Sequence, residues 1–147
     1  MRKCLYIEII LVLASGLCFG QAGIRNSGNL QLHAGTNMAV VGNVENSSTA
    51  NLINNGSLYL KGNLTNHQAL MSAGTGTLYL NGTSIQTIAG TELFKISDLV
   101  TDNIAGIVLN NNLTVSGTHT FTNGIITTSA TPNYLIYEAG ATHNGSA

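Results

Sequence analysis

The segment Gly56-Ser57-Leu58-Tyr59-Leu60-Lys61-Gly62 returns twenty positions later as Gly76-Thr77-Leu78-Tyr79-Leu80-Asn81-Gly82. Repeats of roughly 20–30 residues are single supersecondary units that cannot bury an apolar face alone, so they must stack. Within the repeat, Leu-Tyr-Leu alternates with the period of an extended strand, so the leucines point to one face and the tyrosine to the other. We therefore expect Leu58, Leu60, Leu78 and Leu80 in a narrow core. Each buried leucine stabilises by roughly 1.5–3 kcal/mol. Tyr59 and Tyr79 are expected side by side on an outer face.

The rest of the chain has the same texture. Short alternating apolar pieces occur at Leu30-Gln31-Leu32, Met38 to Val41, Ile85 to Ile88, Ile107-Val108-Leu109, Leu113-Thr114-Val115 and Tyr134 to Tyr137, divided by Gly, Asn and Ser. Helical periodicity is almost absent beyond residue 20. Pieces of three or four residues are shorter than the strands of a typical sandwich, which average roughly 5–6 residues. The expected fold is all-β, a parallel β-helix-like solenoid of about five coils forming an incomplete stack. Gly28-Asn29-Leu30-Gln31-Leu32 and Gly106-Ile107-Val108-Leu109-Asn110 resemble the core unit, at spacings of 28 and 30 positions, which implies an uneven period. Asn-Gly dipeptides at Asn55, Asn81, Asn123 and Asn144 mark corners that tolerate positive φ. Asparagines facing inward at such corners are expected to form amide ladders between coils. Residues 90–99 hold a local cluster of charge, Glu92, Lys95 and Asp98, and are expected to be an extended strand with a small excursion from the stack.

The first twenty residues have the order of a secretory signal. Arg2 and Lys3 are followed by an apolar run from Leu5 to Leu13, broken by Glu8, and then by small residues. Cleavage after Gly20 leaves Gln21 at the new N-terminus and residues 21–147 as a solenoid repeat region. An uncleaved anchor needs a longer run, roughly 20 residues. A lipoprotein signal ending at Cys18 prefers a small residue where Leu17 stands. Cys4 and Cys18 both lie in this leader, so the remaining chain has no thiol for a disulfide, zinc cluster or nucleophile. We expect no membrane span in the mature chain and a secreted or cell-surface location. The C-terminal run Ala139 to Ala147 reads as the middle of another repeat, without the polar cap that solenoids need. Either the chain is truncated there or its last coil frays.

Charge excludes some functions. Only 7% of residues are charged and the net charge is -1, so no basic patch exists to neutralise phosphates and nucleic acid is an unsuitable partner. His33, His67, His119 and His143 are scattered without metal-ligand spacing and are expected to be exposed. Asp98, Asp102 and Asn103 form a weak calcium candidate that lacks the repeat motif of calcium-binding solenoids. Gly74-Thr75-Gly76 lacks the lysine and helix start of a phosphate loop. Acceptor sequons occur at Asn46, Asn55, Asn63, Asn81, Asn112 and Asn144, as chance allows in such a composition. Thr118, Thr120 and Thr122 share one strand face, but a single row is no water-ordering array. No catalytic residue, metal site or cofactor is expected. Tyr59 and Tyr79 are the candidate binding residues, as a speculative glycan contact, against the plainer reading of an aromatic ladder.

The run Ala73-Gly74-Thr75-Gly76-Thr77-Leu78-Tyr79-Leu80-Asn81-Gly82-Thr83-Ser84-Ile85-Gln86-Thr87-Ile88-Ala89-Gly90 resembles the G-T-G-T-x-x-x-N-G-x-x-x-Q-x-I-x-G repeat of large secreted surface proteins from Bacteroidota. Residues 107–118 and 123–128 look like its continuation, and the likeness covers most of residues 22–147. The resemblance implies a parallel β-helix-like region in an adhesin-like protein of the type IX secretion kind. It supplies no catalytic residues. The expected function is a non-catalytic structural or adhesive repeat region, with surface glycans or other cell-surface proteins as partners. The alternative is a fragment of a carbohydrate-binding or polysaccharide-cleaving β-helix protein.

Overall fold

The computed structural model describes residues 23–128 and 133–145. The expected leader, with both cysteines, lies outside the described residues. Among the described residues there is no helix, and every strand pairing is parallel. The chain winds as a β-solenoid of six coils, one more than expected. Coil one is β1 (Ile24–Asn26), β2 (Asn29–Leu32) and β3 (Asn37–Val40). Coil two is β4 (Val44–Asn46), β5 (Asn51–Asn54) and β6 (Ser57–Leu60), and coil three is β7 (Leu64–Asn66) and β8 (Thr77–Leu80). Coil four is β9 (Gln86–Gly90), β10 (Phe94–Ile96) and β11 (Asp98–Asp102). Coil five is β12 (Ile107–Leu109), β13 (Leu113–Val115) and β14 (Thr118–Asn123), and coil six is β15 (Ile126–Thr128), β16 (Leu135–Tyr137) and β17 (Thr142–Asn144).

Two faces are continuous six-stranded sheets, β1-β4-β7-β9-β12-β15 and β3-β6-β8-β11-β14-β17. The remaining face is split into β2-β5 and β10-β13-β16, because coil three has no strand there. A side chain bridges the interruption. Gln68 Oε1 accepts from the Leu52 backbone N–H at 2.8 Å and from Asn46 Nδ2 at 2.8 Å. It thus supplies the acceptor that a neighbouring strand would have offered to β5. Met71 and Ala73, both buried, fill the core behind it.

The core follows from the alternation. Leu58, Leu60, Leu78 and Leu80 are buried, and in-register pairing places Leu58 against Leu78 and Leu60 against Leu80. Met38 and Val40 lie beneath them, and Leu99 and Thr101 above. The structure corrects the period inferred from the weaker copies. Residues 28–32 form β2 and residues 106–110 contain β12, strands on other faces, so their spacings of 28 and 30 do not measure the coil. In-register partners are 20 residues apart at Asn26 and Asn46, and 24 apart at Leu64 and Ile88. Each face repeats the same alternation, which is why strands of different faces look alike in sequence.

Residues 90–99 are extended as expected, through β10 and the start of β11, but without the excursion. They stay in the stack, with Phe94 and Ile96 buried on β10. The inner amide ladder exists, but its asparagines do not precede glycine. Asn26 Nδ2 donates to Asn46 Oδ1 at 2.9 Å, and Asn46 Nδ2 donates to Asn66 Oδ1 at 3.2 Å. The asparagines of the Asn-Gly corners are half-buried at positions 55 and 81 and exposed at 123 and 144. Positive φ is found at Gly124 (88°) and Gly145 (80°) but not at Gly56 or Gly82. Glycine is needed at position 56 because a Cβ there would lie 2.5 Å from the Thr36 carbonyl oxygen of the coil below.

Candidate binding face

The face β3-β6-β8-β11-β14-β17 carries the residues singled out for binding. Its outward row runs in register through Ala39, Tyr59, Tyr79, Val100, Thr120 and Asn144. The Tyr59 and Tyr79 rings stack with centroids 4.2 Å apart and planes 13° from parallel. Parallel pairing at roughly 4.8 Å strand spacing dictates this contact, since identical residues in register must meet. Both side chains are half-buried. Each ring uses one face on the other, so no ligand can enter between them. Ala39, in register beneath Tyr59, is too short to reach across a ring. The contact can be measured as a coupling energy. A cycle of Tyr59→Ala, Tyr79→Ala and the double variant in urea unfolding is expected to give about 0.5–1.5 kcal/mol. Additive losses would mean that the rings pack independently.

A second outward row, Ser57, Thr77, Asp98, Thr118 and Thr142, is short and polar. The Thr118 and Thr142 hydroxyls lie 3.1 Å apart. Thr118 and Thr120 share the outer side of β14, while His119 and Phe121 point inward; Thr122 is exposed at the register shift that follows Phe121 and drops out of the row. Asp98 and Asp102 stand at opposite ends of β11. Asp98 Oδ1 accepts from the Thr118 N–H at 2.7 Å, and Asp102 Oδ1 accepts from Asn123 Nδ2 at 2.7 Å. Asn103 is buried, its Nδ2 donating to the Ser84 carbonyl and to Gln86 Oε1. The three residues of the calcium candidate therefore do not converge. Among the described residues no group of three or more His, Cys, Asp or Glu side chains is placed to hold a metal ion.

Gln86 explains part of the N-G-x-x-x-Q pattern. Its Oε1 accepts from the Gly82 N–H at 2.9 Å, and its Nε2 donates to the Leu60 and Gly62 carbonyls at 2.9 and 2.7 Å. One buried amide closes its own corner and ties it to the coil beneath. The corner beside it is apolar on its outer side. Ile85, Ile104 and Ile125 are all more exposed than buried and flank a shallow groove of about 320 Å³.

The histidines divide. His33 and His143 are exposed and His67 is half-buried against Thr91. His119 overturns the expectation of exposure, because it is fully buried. Its Nε2 lies 2.8 Å from Thr101 Oγ1 and its Nδ1 lies 2.7 Å from Tyr137 Oη. The Phe121 ring packs against it at 3.8 Å between centroids. Burial, with a smaller contribution from the charge of His143, lowers its pKa to about 4. Burial also raises the pKa of Tyr137. Alternation in Thr118-His119-Thr120-Phe121-Thr122 was the available signal. It puts position 119 in phase with the apolar Phe121.

No protein-family model, curated protein or solved structure matches the chain. Among the described residues no helix is long and apolar enough to cross a membrane. The architecture is a parallel β-solenoid.

Proposed function

We propose that the chain is a non-catalytic structural or adhesive repeat region of an exported cell-surface protein, of the kind found in repeat-rich type IX secretion proteins of Bacteroidota. The observation that carries this reading is the six-coil stack with an in-register outer face made mostly of Ser, Thr, Asn and Tyr side chains, with Ala39, Val100 and Asp98 among them. Such a stack presents a long, sparsely charged surface, and solenoids use extended surfaces of this type for binding. Two ion pairs support the same reading, since they tie coils together rather than forming a charged site. Arg25 Nε lies 3.4 Å from Glu45 Oε1, and Lys95 Nζ lies 2.7 Å from Glu138 Oε1. The order of residues 1–20 supports export with cleavage after Gly20.

Expression of the full chain in a Bacteroidota host tests the proposal. N-terminal sequencing should find Gln21 first, and protease treatment of intact cells should remove the chain. A cytoplasmic chain with its leader intact would overturn it. Surface glycans are the candidate ligands, with the edges of Tyr59 and Tyr79 as the contact. Glycan-array binding that persists in the Tyr59→Ala, Tyr79→Ala double variant would reject that contact.

A further inference from the structure

We infer that His119 makes coil six a pH-dependent element, so that its protonation releases β16 and β17 from the stack while the coils below stay folded. This goes beyond the proposed function, which involves no titration. The argument rests on what His119 joins. Its ring spans three coils, through Thr101 on β11 of coil four and Tyr137 on β16 of coil six. On its own sheet the inward row reads Met38, Leu58, Leu78, Leu99, His119 and His143. The imidazole is thus the first polar group in an aliphatic column.

Among the described residues the surroundings offer a charged ring no counter-ion. From β11 it faces Leu99 and the Thr101 hydroxyl, from β16 the Tyr137 hydroxyl, and from its own strand Phe121. From β17 it faces His143, in register above it, which carries the same sign when protonated. The nearby carboxylates are engaged elsewhere. Glu138 pairs with Lys95, Asp98 accepts from the Thr118 N–H, and Asp102 accepts from Asn123. Hydroxyl oxygens can accept from an imidazolium, but they cannot neutralise it. Burying an unpaired charge is costly, so the ring must either stay neutral or reach water.

Coil six is where reaching water is easiest. Its inward residues Ile126 and Leu135 are only half-buried, whereas Ile107 and Leu113 beneath them are fully buried. All three residues of β17 are exposed. Segments with few buried apolar contacts open at the lowest free energy. The sign follows from the lowered pKa of about 4 against an ordinary value of 6.5. Between those values the open form takes up a proton that the closed form refuses, so opening becomes easier as pH falls and levels off below about 4.

Amide hydrogen exchange of the full chain at pH 7.5 and pH 4.5, corrected for intrinsic rates, tests this. Opening of β16 and β17 should increase by roughly fifty- to a hundredfold, almost all of it below the ordinary histidine value of 6.5, while β4 to β9 keep their protection. Equal loss in all coils, or no change in β16 and β17, would overturn the inference. His119→Gln should flatten the response. A carbon-detected titration of the wild-type imidazole is an independent reading that does not depend on the variant folding. A His119 ring that titrates above pH 6 would also overturn it.

Discussion

Asn46→Asp is expected to cost the fold about 3–5 kcal/mol at neutral pH, although the two side chains are nearly the same shape. Asn46 is fully buried at the centre of the amide ladder. Its Oδ1 accepts from Asn26, and its Nδ2 donates to Asn66 Oδ1 and Gln68 Oε1. A carboxylate keeps the first contact and turns the other two into oxygen facing oxygen. Neither neighbour can reverse its amide without loss. Asn66 Nδ2 donates to the Leu93 carbonyl at 2.7 Å, and Gln68 Oε1 also serves the Leu52 N–H. Burial and the two facing oxygens both disfavour the anion, so the introduced carboxyl has a folded pKa above its unfolded value of about 3.9. Relative to wild type, the loss is complete above that raised pKa and is partly relieved as pH falls through it. Urea unfolding across pH 4 to 8 reads this directly. A penalty independent of pH would show that the buried charge is not its cause.

Gly90→Ala should be of comparable size, at about 3 kcal/mol or more. Gly90 occupies the next position of the same ladder, in register with Asn66. Its φ is +127°, and a Cβ would lie 1.9 Å from the Asn66 carbonyl oxygen. The methyl group meets backbone, which cannot swing aside as a flexible side chain would. This is also why the ladder ends at Asn66. Gly28→Ala is the matched control, because nothing lies within 4 Å of a Cβ at that position. It should change stability by no more than about 0.5 kcal/mol. Equal effects at the two sites in thermal or urea unfolding would contradict the packing argument.

The candidate site was partly legible in advance. Alternation placed Tyr59 and Tyr79 together on an outer face, and pairing confirms that they are neighbours. The same alternation, applied to Thr118 through Thr122, would have placed His119 inside. Histidine as a lone polar residue favours exposure; its phase with Phe121 favours the interior, and phase wins. The Thr101 and Tyr137 partners were not legible, because they come from strands of two other coils. Gln68 was missed for a similar reason. Its role exists only because coil three lacks a strand on the split face.

The opening repeat shows where the two levels divide. By itself, the sequence determined that Leu58, Leu60, Leu78 and Leu80 point inward and that the chain stacks in short parallel strands. Those are local properties, since alternation needs only a strand and a half-buried surface. Only the tertiary structure decided which strand lies on which. Leu58 rests on Met38, and Leu78 lies beneath Leu99, although neither neighbour belongs to an obvious copy of the repeat. Register depends on the lengths of all the corners between two strands and on the amides that close them. Those corner lengths vary from coil to coil. The near-copy at twenty positions is therefore the place where two successive coils happen to match in sequence, while the solenoid continues beyond it through coils that match only in the direction their side chains face.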